Sequence, residues 1–269
     1  MNENYRNFFG LKKEPFGTNL KIKEVFETKE LKAVLKRFHY TVRLGEIALV
    51  TGEIGSGKST ALRYSADQLH PSQYKTFYVT ATSGSILELY RQITAEMGIY
   101  QSSNSKAAMT RLIRHEIIEL VDGKKMKAVL IIDEASLLRL EVLAELHTIC
   151  QFDKDSKPWL PMILVGQANL IDKMSYRASA PIASRIVARS HLEGLERQDM
   201  QQYLVHHLHL AGIETNLFED AAVTAIHQGS GGLLRKANHL ARGALIAAAS
   251  DEALTVTPEY VRLAATEIF

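Results

Sequence analysis

Cysteine is almost missing: Cys150 stands alone in 269 residues. An internal disulfide framework is therefore excluded, and a reducing compartment fits. The simplest reading of Cys150 is a small apolar residue buried within 146–152. Long apolar runs are missing too. The nearest, 244–249, is far too short to cross a bilayer. The opening MNENYRNFFGLKKEPF holds no signal-peptide core. The expectation is a cytoplasmic protein with no membrane span. There is also no excess of one charge. Lysine and arginine number 32 against 30 acidic residues, a net charge of +2. That balance neither requires nor excludes nucleic acid, because binding depends on clustering. No repeat, low-complexity tract or long linker is found. His206, His207 and His209 crowd together. Successive helical positions point in different directions, and no Cys or acidic partner has ligand spacing, so no metal is expected there.

What is present is an ordinary globular composition, 46% hydrophobic and 23% charged, in a chain long enough for a large domain plus a smaller one. Its organising stretch is GEIALVTGEIGSGKST, residues 45–60. An apolar run, Ile47 to Val50, meets Gly52-x-x-x-x-Gly57-Lys58-Ser59, the spacing of a Walker A or P-loop. Strand, tight bend and helix must follow one another for this to work. Gly52, Gly55 and Gly57 let the backbone fold back and approach a ligand closely. The amides of Gly52, Glu53, Ile54, Gly55, Ser56, Gly57, Lys58, Ser59 and Thr60 then surround a polyphosphate at a helix N-terminus. Lys58 adds a full charge at the β- and γ-phosphates, and the hydroxyl of Ser59 suits Mg²⁺. The competing explanation, a glycine-rich turn matching by chance, does not supply strand, loop and Lys-Ser in the required order.

A second apolar run, 128–132, ends in Asp133-Glu134. Such a run suits a central parallel strand buried on both faces. Following a P-loop at this interval, it reads as a Walker B. Asp133 would hold Mg²⁺ directly or through water, and Glu134 would act as general base on the attacking water. A further buried strand, MILVG at 162–166, ends in Gln167, with Asn169 close by. Gln167 could orient the water or touch the γ-phosphate, or it could be a strand-end residue bonding a loop. Segment 179–189 holds Arg185 and Arg189.

The remaining elements follow from pattern. Strands are expected at 76–80 and 188–192, and helices at 28–41, from Lys58 to about Gln68, and at 85–97, 106–121 and 137–152. Past Gly194 only helices are expected: 196–211, 218–227, 233–249, and a last one with Thr257 as N-cap and Pro258 at its first position. Tyr5, Phe8, Phe9 and Phe16, interleaved with lysines and broken by Pro15, pin the N-terminal segment onto a core. The fold class expected is α/β: a P-loop parallel sheet flanked by helices over 1–193, including the N-terminal segment, then a small all-helical lid over 194–269.

P-loop, Walker B, polar Gln167, an arginine-bearing segment and a helical lid resemble the AAA+ ATPases in that order. Within them the chain resembles the ExeA/GspA-like family, through YRNFFGLKKEPF, LVGQ, and the stretch from Arg185 through Tyr203 to Ala211-Gly212. Leu234-Arg235-Lys236 after a glycine-rich turn looks like the sensor 2 segment. The resemblance implies Mg²⁺-dependent hydrolysis of ATP to ADP. It also implies a homo-oligomer, ring or helical filament, in which Arg185 or Arg189 completes a neighbour's site, and Arg235 as sensor arginine. Long members of that family carry a membrane anchor and a peptidoglycan-binding part and serve secretion. Neither part is found in these residues, so the expectation is a stand-alone form resembling the transposition ATPases of the TnsC, TniB and Mu B type. Its partners would be double-stranded DNA and a transposase. By that analogy Lys106, Arg111, Arg114, Lys124, Lys125 and Lys127 would meet DNA, through backbone and shape rather than sequence. The alternative is an ATPase that assembles a protein secretion complex without DNA.

Overall fold

A computed structural model describes residues 4–100 and 103–268, which divide into two compact units. One comprises 29–52 and 58–192 and holds a five-stranded sheet. Its strands are β1 (Ile47–Gly52), β2 (Tyr74–Thr80), β3 (Lys127–Asp133), β4 (Met162–Gly166) and β5 (Ile186–Leu192). They pair in parallel, in the order β2-β3-β4-β1-β5. The order follows from composition. β1 and β4 are buried throughout and β3 from its second residue, as their unbroken apolar runs require for central strands. β2 and β5 alternate buried and exposed residues and lie at the two edges.

Helices of this unit are α2 (Lys29–Leu44), α3 (Lys58–Asp67), α4 (Ile86–Glu96), α5 (Lys106–Ile118), α6 (Leu140–Leu146), α7 (Asn169–Ser175) and α8 (Ala180–Ala183). Ser85 caps α4 and Ser105 caps α5, each side chain accepting from a backbone N–H three residues on. α5 runs on as a π-turn at Glu119–Gly123. The single helix expected over 137–152 is broken. A 3-10 turn, Ala135–Leu137, comes first, Leu138 and Arg139 are extended, and only then does α6 begin. The Lys173 ammonium on α7 takes the carbonyls of Ser136 and Leu138, both at 2.7 Å, which removes them from helix bonding. α7 and α8, between β4 and β5, are too short to show a period in the sequence.

The other unit comprises the N-terminal residues through Thr28, Glu53–Gly57 and Glu193–Phe269 as far as they are described. It contains α1 (Asn4–Phe9), α9 (Arg197–Leu210), α10 (Asp220–Ser230), α11 (Leu234–Ser250) and α12 (Pro258–Ile268). The N-terminal segment packs with these helices, whereas the sequence reading grouped it with residues 1–193. Tyr5, Phe9, Leu11 and Phe16 enter the helical core beside Tyr203, Leu204 and Phe218. The backbone N–H of Lys12 donates to Ala211 O at 2.8 Å, and Arg242 donates to Phe16 O at 2.8 Å. Aromatic content alone says that a segment docks, not which core receives it. Among the described residues no helix is long and apolar enough to cross a membrane.

Candidate functional site

The carboxyl ends of β1, β3 and β4 lie side by side. Thr51 pairs with Gly166, and Ile132 pairs with Leu164, so the chain leaves the sheet at Gly52, Asp133 and Gly166 along one edge. Three of the expected site segments therefore begin at one place, where ligands of open α/β sheets bind.

From β1 the chain turns through Glu53–Gly57 into α3. The Lys58 ammonium, only 8% exposed, donates to Gly52 O at 2.9 Å and so lies across the mouth of the bend. Ser56 is buried, and its Oγ has no hydrogen-bond partner among the described residues. Gly55 sits at φ +86°, and a Cβ there would come 2.8 Å from the Arg235 Cβ. The Arg235 N–H donates to Gly55 O at 3.2 Å. Bend and α11 start are thus in backbone contact within the helical unit, which leaves no room for a side chain at position 55. Arg235 itself is exposed, and its guanidinium makes no hydrogen bond to a described residue.

Asp133 is 6% exposed and accepts three hydrogen bonds. Ser59 Oγ donates to Oδ2 at 3.0 Å, the Tyr78 hydroxyl donates to the same oxygen, and the Glu134 N–H donates to Oδ1 at 2.8 Å. The Tyr78 phenol is raised well above its ordinary range, by burial first and then by the Asp133 carboxylate it bonds. Glu134 adopts φ +53°, a left-handed conformation that costs a non-glycine residue and is typical of functional turns. The 3-10 turn after it packs on the end of β4. A Cβ on Gly166 would lie 2.8 Å from Ser136 N, so glycine is required where the two segments meet. Lys173 locks the turn by the carbonyl bonds already described. Gln167 is half-buried, and its side-chain amide bonds no described residue; its backbone carbonyl accepts from Leu170 N at 3.0 Å.

Two of these groups were not found from sequence. Tyr78 lies in the strand expected at 76–80 and belongs to no motif. Lys173 carried no motif at all. Strand alternation could have shown Tyr78 on the same side of β2 as Thr80, whose partner is Asp133.

Arg185 lies elsewhere. It immediately precedes β5, and its carbonyl accepts from Ile47 N, the first residue of β1, at 3.1 Å. It is therefore at the amino end of the sheet, about 20 Å by strand rise from Gly52. Its guanidinium donates to Asp155, whose carboxyl is held below the usual range by that bond. The ion pair borders a polar depression with Glu46, His147 and Gln151. Arg189 is exposed on β5. The basic residues expected to meet DNA do not form one free patch. Lys106 pairs with Glu145 at 2.8 Å, Arg114 lies over the Phe152 ring, and Lys127 lies over the Tyr74 ring. Arg111, Lys124 and Lys125 form no ion pair with a described residue. Cys150 is buried, and burial pushes its thiol up to about 12. His206 bonds Glu24 O, His207 is buried, and His209 lies 3.8 Å from Glu214.

Residues 42–174 match a family model described as an AAA domain. General secretion pathway protein A of Aeromonas hydrophila is 31% identical over 267 residues, which is 98% of this chain and 48% of that protein. The chain thus spans about half the length of this curated relative. Among solved structures, the ORC2 protein of Aeropyrum pernix, in ADPNP–ADP complexes, superposes with a TM-score of 0.70 at 17% identity. That match covers 94% of this chain and 71% of that one. The RuvB Holliday junction branch migration motor of Thermotoga maritima gives 0.57 at 17% identity, over 90% and 70% of the two chains.

Proposed function

From the premise that this chain has the P-loop AAA+ fold and carries an AAA domain over 42–174, we propose that it binds and hydrolyses ATP and uses the cycle to assemble a protein secretion complex. The observation that carries the chemistry is the convergence of Lys58, Ser59, Asp133 and Glu134 at one sheet edge. The role rests on the identity to a general secretion pathway protein over nearly the whole chain.

A hydroxyl and a carboxylate oxygen 3.0 Å apart are hard donors of the kind Mg²⁺ takes beside phosphate oxygens. Bound there, Mg²⁺ would neutralise charge developing on the phosphates. Ser59 and Asp133 would hold it. The amides of Gly52 to Thr60 and the Lys58 ammonium would cradle the phosphates. Glu134, whose carboxylate makes no hydrogen bond to a described residue, is then the general base that accepts the water proton. Gln167 would orient that water, and Arg235 would read the γ-phosphate. Residues 194–269 serve as the lid domain. Arg185 lies too far along the sheet from its own Gly52 to serve the same site, so its catalytic role would be toward a second copy in a homo-oligomer. Arg's planar fork suits that task. The need for ATP and the single buried thiol fit a cytoplasmic location.

DNA remains the competing partner, because the branch migration motor RuvB shares the fold. Three of the six basic residues assigned to DNA already face an acid or a ring of this same chain, which weighs against it. Anisotropy with duplex DNA across a salt series, with ATP and with ADP, decides between the two. The secretion reading expects no nucleotide-dependent binding. Binding that is tighter with ATP, little affected by sequence and steeply lost with salt would instead establish the transposition-type reading with a transposase partner.

A further inference from the structure

Tyr78 is on an edge strand, in none of the motifs, yet its hydroxyl donates to the buried carboxylate at the centre of the site. We propose that Tyr78 is a positioning residue for the divalent cation of the nucleotide site, acting by fixing the Asp133 carboxylate. This rests on the Mg²⁺–nucleotide reading above.

β2 and β3 pair in parallel with Tyr78 opposite Ile131 and Thr80 opposite Asp133. Side chains of paired residues share a face, and residues two apart along a strand share it too. Tyr78 is therefore on the Asp133 face, one two-residue step back. A tyrosine is long enough to span that step and end in a donor; threonine or serine is not. Phe77 and Val79, on the other face, are buried in the core and hold the strand in place. Tyr78 as a residue is 38% exposed, so it is not a core-filling side chain.

Asp133 has two oxygens, and the structure gives them different company. Oδ1 takes the Glu134 N–H, which ties it to the turn carrying the general base. Oδ2 takes both Ser59 and Tyr78. Ser59 belongs to the ion site itself: its oxygen has lone pairs for a cation while its hydrogen donates to Oδ2. Tyr78 is the side-chain partner of Oδ2 that is not itself a ligand, and it keeps the carboxylate plane from rotating. Partners of this kind on a ligating carboxylate are worth roughly 10–100-fold in metal affinity.

The test uses the full chain with Tyr78→Phe, which keeps the ring and removes the donor. Two quantities are read: affinity for a fluorescent ADP in EDTA, and the Mn²⁺ concentration that half-saturates the ADP-loaded protein, followed by electron paramagnetic resonance. The expected result is unchanged ADP affinity in EDTA and about 10–100-fold weaker Mn²⁺ binding. Asp133→Asn should weaken Mn²⁺ as well, and adding Tyr78→Phe to it should cost little more, since one residue acts through the other. Equal or tighter Mn²⁺ binding by Tyr78→Phe overturns the proposal, the tighter case making the phenol a competitor of the ion. Loss of ADP affinity in EDTA makes Tyr78 a structural residue and also overturns it. A wild-type protein that binds no ADP refutes the nucleotide site itself, a result separable from the others.

Discussion

Lowering the pH from 8 to 5 should destabilise the helical unit through one residue, His207. It is 2% exposed, with its ring 5.3 Å from Phe16 and 4.5 Å from Tyr203, and its Nε2 has no hydrogen-bond partner among the described residues. Burial, then the neighbouring His206 and Lys13, lower its pKa to about 3. In the unfolded chain it titrates near 6.5. The unfolded state therefore binds a proton below about 6.5 that the folded state refuses, and stability falls as pH falls through that window. With folded and unfolded values of about 3 and 6.5, the loss between pH 8 and pH 5 is about 2 kcal/mol, and it levels off only below about 3. Glu24 and Asp155 have carboxyls lowered by their partners Lys13 and Arg185, so their contributions fade only at more acid pH. The assay is urea unfolding by circular dichroism at pH 8 and 5, for wild type and His207→Phe. The variant's baseline stability can shift either way, but its pH-dependent loss should be smaller than wild type's by about 2 kcal/mol. Equal pH-dependent losses in the two proteins would refute the buried neutral imidazole.

Other outcomes follow from the site. Lys58→Ala should abolish ATP binding in a protein that remains folded, as checked by fluorescent-nucleotide titration. Gly55→Ala should cost about 2–5 kcal/mol in urea unfolding, from the left-handed φ and from the overlap with Arg235. Arg185→Ala and Glu134→Gln should each be nearly inactive alone and recover partial ATPase activity when mixed, because some interfaces then pair an intact base with an intact arginine. Asp155→Asn separates that role from the ion pair: it removes the pairing charge and should leave turnover close to wild type, whereas a purely structural pair would make it resemble Arg185→Ala.

The sheet was legible because its central strands are buried on both faces and so are written as unbroken apolar runs that end in Gly52, Asp133 and Gly166. The P-loop was legible because phosphate cradling demands glycine and Lys-Ser at fixed spacing. Helices with a clear apolar face, such as α2 and α4, were found to within a few residues. What escaped depends on contacts between distant positions. The break at Leu138–Arg139 needs Lys173, which is 34 or more residues further on in the chain. The docking of Phe16 against His207 is decided across 190 residues. Tyr78 has no local signal, because its partner is 55 residues away on the next strand.

Whether this sheet edge hydrolyses ATP with Glu134 as base is read from steady-state ATPase and ATP-binding measurements on wild type and Glu134→Gln. Wild type should turn over ATP in the presence of Mg²⁺, and Glu134→Gln should keep its ATP affinity with turnover lower by about 10²–10⁴-fold. Unchanged turnover in Glu134→Gln, or a wild-type protein that neither binds nor hydrolyses ATP, would contradict that chemistry.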